Sequence, residues 1–309
     1  MYFLITNDVE IHSIPKNIQD PAIADEVHST GIPRLLNLYA KYDIRSTFYF
    51  TGNYVEVKPE SLDLVKDHGH EIGCHGYTHD IDQAFDIMSY DEQVDHLTRA
   101  KKIIEDVVGP ITAFKAPALR INEHTIKALE TTGFKIDSSV APQRFDGPFS
   151  FGSHQKLKWL FAPRMPYHPA YDSPFRKGNS SILEVPISAA IAPYIGTLMR
   201  INPALFRVLE KYLFYEAKKT KKPVVFIFHP TECLNDIPAL NPEGEITRRS
   251  TSYLEYMFAD KIRVNLKLKN LGLPSLKLLE DVIRRGRRYG FEYISISDFA
   301  SIYKKGRSS

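Results

Sequence analysis

Two histidines stand four residues apart in His75-Gly76-Tyr77-Thr78-His79, directly after the apolar run Glu71–His75. On a helical turn that spacing points both rings the same way, as a shared metal ion requires. The same spacing also occurs on ordinary surfaces, so a carboxylate from elsewhere has to strengthen the case. Asp8 and Glu10 lie two residues apart at the end of another extended run, where alternate side chains share a face. One acid could bind an ion while the other takes a proton from water activated there; the alternative is an ordinary acidic turn. Two histidines and one carboxylate leave coordination positions open, the arrangement of a catalytic metal. His229, in Phe226-Ile227-Phe228-His229-Pro230, is either a satisfied imidazole at a strand end or a general acid. An iron oxygenase would also suit two histidines and a carboxylate, but Asp8 and His229 would have no acid–base role in it.

Positioning these groups requires strands. β-Rich runs fall at Tyr2–Thr6, Ser46–Thr51, Glu71–His75, Ala113–Ala116, Phe134–Ser138, Ile182–Ile187, Val224–His229 and Glu292–Ser297. Between them, helical periodicity marks Pro33–Tyr42, Glu60–His68, Tyr90–Val108, Glu123–Thr132, Ala204–Lys218 and Ser275–Tyr289. Gly69, Gly133 and Gly290 stand just past three of these helices, as stops. Strand–helix alternation implies an α/β fold with a parallel sheet, and about eight strands imply a barrel, closed or distorted. In such barrels the chemistry gathers at the C-terminal strand ends. Asp8 and Glu10 follow the first strand, His75 and His79 the third, Lys115 the fourth, Asp137 the fifth and His229 the seventh. The proline- and aromatic-rich stretch from Ala141 to Ser181, which carries the only tryptophan, Trp159, is expected to be a long binding or lid insertion. A second irregular stretch is expected from Thr231 to about Arg249.

Composition narrows the classes. The chain has 309 residues, 43% hydrophobic and 25% charged, with net charge +3, enough apolar material for a sizeable core. That balance disfavours disorder, and no apolar stretch approaches the roughly 18 to 20 residues of a membrane span. Asp8 interrupts any secretory apolar region, and two cysteines, Cys74 and Cys233, cannot build a disulfide framework. A cytoplasmic, reducing location is therefore expected. Charge is uneven: residues 1–150 carry −9 and residues 151–309 carry +12. The basic runs, among them Lys218 to Lys222 and Arg284 to Arg288, are either solvated helix faces or a surface that meets an anion such as a phosphate, an acidic glycan or a membrane leaflet.

Taken together, these motifs resemble the NodB-type polysaccharide deacetylase superfamily of metal-dependent carbohydrate de-N-acylases, from Thr6 to about Tyr303. Its T-F-D-D-G motif stands here as Thr6-Asn7-Asp8-Val9-Glu10, with Asp8 on the base position and Val9 where the ligand acid is usual. Its H-[ST]-x-x-H motif is His75 to His79, with Gly76 replacing Ser or Thr. Its R-x-P motif is Lys115-Ala116-Pro117, which loses the bidentate guanidinium; Arg120 is the other candidate cation. Asp137-Ser138-Ser139 and Phe228-His229-Pro230 resemble the fourth and fifth motifs. Gly31 to Leu36 and Ala118 to Asn122 are similar to cytoplasmic peptidoglycan-deacetylase-like proteins and to deformylases of lipid-linked formamido-arabinose.

The resemblance implies a distorted (β/α) barrel over residues 1–309 with the insertion at about 141–181. It implies a divalent ion, zinc being expected, on Glu10, His75 and His79, with Asp8 the other candidate ligand. Asp8 would be the base and His229 the acid, so opposite pKa perturbations are expected at one rim. Lys115 or Arg120 would keep Asp8 charged, and Asp137 and Trp159 would contact substrate. The substrate implied is an N-acetylated or N-formylated amino-sugar glycan, anionic or lipid-linked, met through peripheral contact at the inner membrane face, with no nucleic-acid partner. Two alternatives stand beside it: an amidohydrolase acting on a non-sugar amide or cyclic imide, and a glycan-binding protein whose site has decayed at Val9, Gly76 and Lys115.

Overall fold

The computed structural model describes residues 1–13, 18–143, 158–235 and 261–308. Its first strand, β1 (Tyr2–Val9), is buried on both faces from Phe3 onward, as expected of a strand inside a covered parallel sheet. Seven more strands join the sheet: β2 (Thr47–Phe50), β3 (Glu71–Cys74), β4 (Ala113–Phe114), β5 (Ile136–Asp137), β6 (Leu183–Glu184), β7 (Val224–Phe228) and β8 (Glu292–Tyr293). Their order is β6-β5-β4-β3-β2-β1-β7, with β8 also pairing the start of β1, and every ladder of this sheet is parallel. All eight expected strands are present, though several are shorter than their apolar runs. β3 and β4 share one register pair, Cys74 with Phe114, because the chain turns away at Lys115 to Pro117. The sheet curls, and its edges are joined by the segment after β6: Ser188 N–H donates to Val225 O at 3.1 Å, and Ile195 bridges Ile227. The fold is a distorted (β/α) barrel.

Helices pack outside the sheet: α1 (Ile32–Lys41), α2 (Glu60–Asp67), α3 (Tyr90–Val108), α4 (Thr125–Thr131), α5 (Pro203–Thr220) and α6 (Leu273–Arg288). Helix α3 starts at a capping box, in which Ser89 and Glu92 satisfy each other's backbone N–H groups. The glycines expected to stop helices, Gly69, Gly133 and Gly290, all lie at positive φ. Two regions differ from the expectation. Ser295 to Ser297 does not extend β8; Ser295 Oγ accepts from Asp298 N–H at 3.2 Å, and a helix runs over Ile296–Ser308 instead. Ahead of α1, Ala22–Glu26 is α-helical and Val27–Gly31 forms a π turn.

The stretch from Ala141 to Ser181 contains more structure than a loop. Residues 144–157 lie outside the described part. The rest forms a 3-10 turn (Lys158–Phe161) and a hairpin of Pro169–Ala170 with Ser173–Lys177. The hairpin folds back on β6, since Tyr167 and Glu184 exchange backbone hydrogen bonds at 3.1 and 2.8 Å. Of the second irregular stretch, Pro230–Cys233 is a 3-10 turn and residues 236–249 lie outside the described part.

Candidate active site

The strand ends bring Asp8, Glu10, His75, His79, Lys115 and His229 together. Asp8 and Glu10 straddle Val9, whose side chain is fully buried in the core, so alternation along β1 turns both acids to the same side. His75 follows β3 directly, its N–H donating to Phe50 O at 2.8 Å. The chain then reverses at Gly76, with φ +71, where a side chain would be strained and its Cβ would sit 3.0 Å from the His96 ring. That turn brings His79 back toward β1, and it is the physical reason Ser or Thr is absent here.

Glu10, His75 and His79 each place one donor atom within 4.8 Å of the others. Glu10 Oε2 lies 3.3 Å from His79 Nε2, is buried, and makes no hydrogen bond of good geometry. His75 Nδ1 is 2.8 Å from Lys115 O, which fixes the tautomer with its proton on Nδ1 and leaves the Nε2 lone pair for a ligand. Burial lowers the His75 pKa to about 4, so the ring is neutral, as a metal ligand must be. For Glu10, burial alone would raise the pKa, but His79, His229 and His12 hold it below the usual carboxylate value. An unsatisfied buried carboxylate oxygen and two imidazole donors suit a divalent ion.

Asp8 is engaged differently. Lys115 Nζ donates to Asp8 Oδ1 at 2.7 Å and to Thr6 Oγ1 at 2.7 Å, all buried. Asp8 Oδ2 is 3.9 Å from His75 Nε2. Burial raises the Asp8 pKa, but the Lys115 cation, with His75 and His229, more than reverses it, so the carboxyl stays ionised. Arg120 pairs with the buried Asp86 at 2.7 Å, and the cation at hydrogen-bond distance from Asp8 is Lys115.

His229 sits at the end of β7, half-buried, with Nδ1 3.0 Å from Glu232 Oε1. Burial lowers its pKa, but the Glu232 hydrogen bond and charge, with Asp8 and Glu10, raise it above the ordinary value. Glu232 is itself gripped by Arg200 at 2.5 Å. The turn carrying both is packed tightly on the π turn before α1, where a Cβ at Gly31 would lie 2.7 Å from Pro230 O. Glu232 was missed in the sequence. The signal was its place three residues after His229, across one turn of the short helix that Pro230 starts.

Two residues expected to contact substrate are buried. Asp137 is fully buried, accepts from Ser139 Oγ, and pairs with Glu184 across the β5–β6 register. Burial pushes Asp137 up to about 6, and burial together with the neighbouring Asp137 charge raises Glu184 well above its ordinary value. Trp159 is buried against Phe175, with ring centroids 5.7 Å apart, and is core rather than a sugar platform.

A family profile of polysaccharide deacetylases matches residues 22–136. That segment of the chain belongs to the polysaccharide deacetylase family. It is 34% identical to a peptidoglycan deacetylase of Helicobacter pylori over 132 residues, 42% of this chain and 43% of that protein. It is 29% identical to a peptidoglycan-N-acetylglucosamine deacetylase of Bacillus cereus over 125 residues, 40% of this chain and 57% of the relative. The alignments thus cover less than two thirds of either relative. A Mycobacterium smegmatis structure assigned to the polysaccharide deacetylases covers 99% of this chain and 92% of its own, with TM-score 0.59 at 18% identity, a likeness of fold. The profile spans His75, His79 and Lys115; Asp8, Glu10 and His229 join the site through the geometry above. No helix among the described residues is long and apolar enough to cross a membrane.

Proposed function

We propose that this deacetylase-family protein hydrolyses an N-acyl group, acetyl or formyl, from an amino sugar of a glycan. The observation that carries the reading is the set of three donors on Glu10, His75 and His79, flanked by an ionised Asp8 on one side and on the other by His229, whose pKa Glu232 raises. A divalent ion on those three residues, zinc by ligand chemistry, would polarise the acyl carbonyl and acidify a water. Asp8 takes the proton of the attacking water through Oδ2, while Lys115 keeps Oδ1 occupied. His229 gives a proton to the departing amine through Nε2, since Nδ1 is held by Glu232. The directions of the two pKa shifts are the ones this exchange requires.

The three departures from the family pattern have structural reasons, which argues against a decayed site. Val9 packs in the core while Glu10 takes the ligand position. Gly76 occupies a left-handed turn, and Lys115 reaches Asp8 at hydrogen-bond distance. The basic surplus of residues 151–309 suits an anionic or lipid-linked form of the glycan. The test is mass spectrometry of N-acetylated and N-formylated amino sugars, free and lipid-linked, after incubation with metal-loaded protein. A loss of acetyl or formyl mass with release of a free amine supports the reading; no loss from any of them, with metal bound, rejects it.

A further inference from the structure

Helix α5 shows solvent a face that the reaction does not use. Leu205, Val208, Tyr212 and Tyr215 recur at intervals of three and four residues and so form one stripe, and all four are exposed, Val208 by 67%. The opposite stripe, with Phe206, Leu209, Leu213 and Phe214, is buried. Arg207, Lys211 and Lys218 run along one edge of the exposed apolar stripe and Lys219 lies within it, all exposed. The helix's own acids are engaged elsewhere. Glu210 holds Arg285 and the Tyr194 hydroxyl, and Glu216 holds Arg164 and Lys222. Among the described residues, none of those four basic side chains has an acid within ion-pair distance, so the face offers only apolar and positive groups.

A second apolar point stands beside it. Ile191 is 82% exposed at the tip of the hairpin formed by Ala189–Ala190 and Ala192–Pro193, at φ +67, where a β-branched side chain is unusual. Arg164 ties this hairpin to the helix by donating to Ala189 O and to Glu216, and its guanidinium lies 5.8 Å from the Tyr212 ring.

We propose that this face of α5, with Ile191 beside it, docks the protein onto an anionic lipid surface. An amphipathic helix lies in the plane of such a surface when its apolar stripe enters the acyl boundary and its tyrosines and basic residues stay at headgroup level. Anionic headgroups complement the basic row, which has no acid partner among the described residues. A second copy of the chain would instead bring like charges together across the same face. The inference rests on this surface and not on the deacylation reading.

The test is co-sedimentation of the full chain with phosphatidylcholine vesicles and with vesicles that also contain phosphatidylglycerol, across a salt series. The expected result is binding to the anionic vesicles that weakens as salt rises. Each basic residue removed should lower the partition coefficient roughly fivefold, so the pair Lys211→Gln and Lys218→Gln should lower it about 25-fold. The pair Leu205→Gln and Val208→Gln should lower binding at every salt concentration. Both pairs should keep the wild-type thermal midpoint and the same turnover of a soluble N-acyl sugar. If no form of the protein releases amine, the reaction reading fails while the vesicle result still stands. Equal wild-type binding to both vesicle types, or variants that bind like wild type, would overturn the proposal. So would a wild-type dimer in sedimentation equilibrium that becomes monomeric with Leu205→Gln and Val208→Gln.

Discussion

The two walls of the site are built from the same parts in opposite roles. On the β1 side the proposed base is a carboxylate held by a cation: Asp8 is gripped by Lys115 at 2.7 Å. On the β7 side the proposed acid is an imidazole held by a carboxylate: His229 is gripped by Glu232 at 3.0 Å, with Arg200 behind. Burial by itself would neutralise both working groups, raising the Asp8 pKa and lowering that of His229. In each case a buried partner of opposite charge reverses that push. The comparison teaches that the partners, Lys115 and Glu232, decide whether a base and an acid can coexist on one rim at one pH.

The comparison breaks most severely if a working group is removed while its partner stays. Asp8→Asn keeps the shape and removes the base, so turnover of an N-acyl sugar should fall by about 10²- to 10⁴-fold; steady-state amine release measures this, and a fall below tenfold would remove Asp8 from the base role. Next comes the holder of Asp8. Lys115→Met leaves a buried carboxylate without its cation and should cost about 3–5 kcal/mol of stability, read from denaturant midpoints. Lys115→Arg should lose far less and should restore much of the activity lost in Lys115→Met, because a guanidinium can serve the same carboxylate.

The smallest effect is expected at the other holder. His229 must be protonated to act, and its pKa is raised, so activity should persist above the ordinary imidazole range and fall as pH climbs through the raised value. Glu232→Gln keeps a hydrogen-bonding side chain but removes the charge that raises His229. The basic limb of the kcat/KM profile should then move to lower pH, with about a tenfold loss above neutrality. An unmoved limb would mean that Glu232 only packs against the ring.

Much of this was legible in the sequence. The eight β-rich runs were found because parallel strands covered on both faces read as nearly continuous apolar stretches, as Phe3-Leu4-Ile5 and Val224 to Phe228 do. The rim was legible because Asp8, His75, Lys115 and His229 each follow such a run. What escaped depended on contacts distant in sequence or on caps. Arg120 and Lys115 are equivalent cations in the sequence, and only the fold places Asp86 beside Arg120. Trp159 read as a binding residue because the hairpin that buries it, through Phe175, is only a few residues long. The Asp137–Glu184 pair depends on a strand register between residues 47 apart in sequence, which no local pattern carries. The helix from Ile296 was hidden by alternating isoleucines, although Ser295 and Asp298 stood at cap spacing.

The central claim is a division of labour between two acids two residues apart, with Glu10 on the ion and Asp8 on the proton. Metal content per chain, measured by elemental analysis on Asp8→Asn and Glu10→Gln purified and loaded side by side, tests it directly. The account predicts one equivalent retained in Asp8→Asn and a weakened, substoichiometric ion in Glu10→Gln, because among the described carboxylates Glu10 is the one that shares a 4.8 Å donor cluster with His75 and His79. Metal lost from Asp8→Asn and kept by Glu10→Gln would contradict it and make Asp8 the ligand.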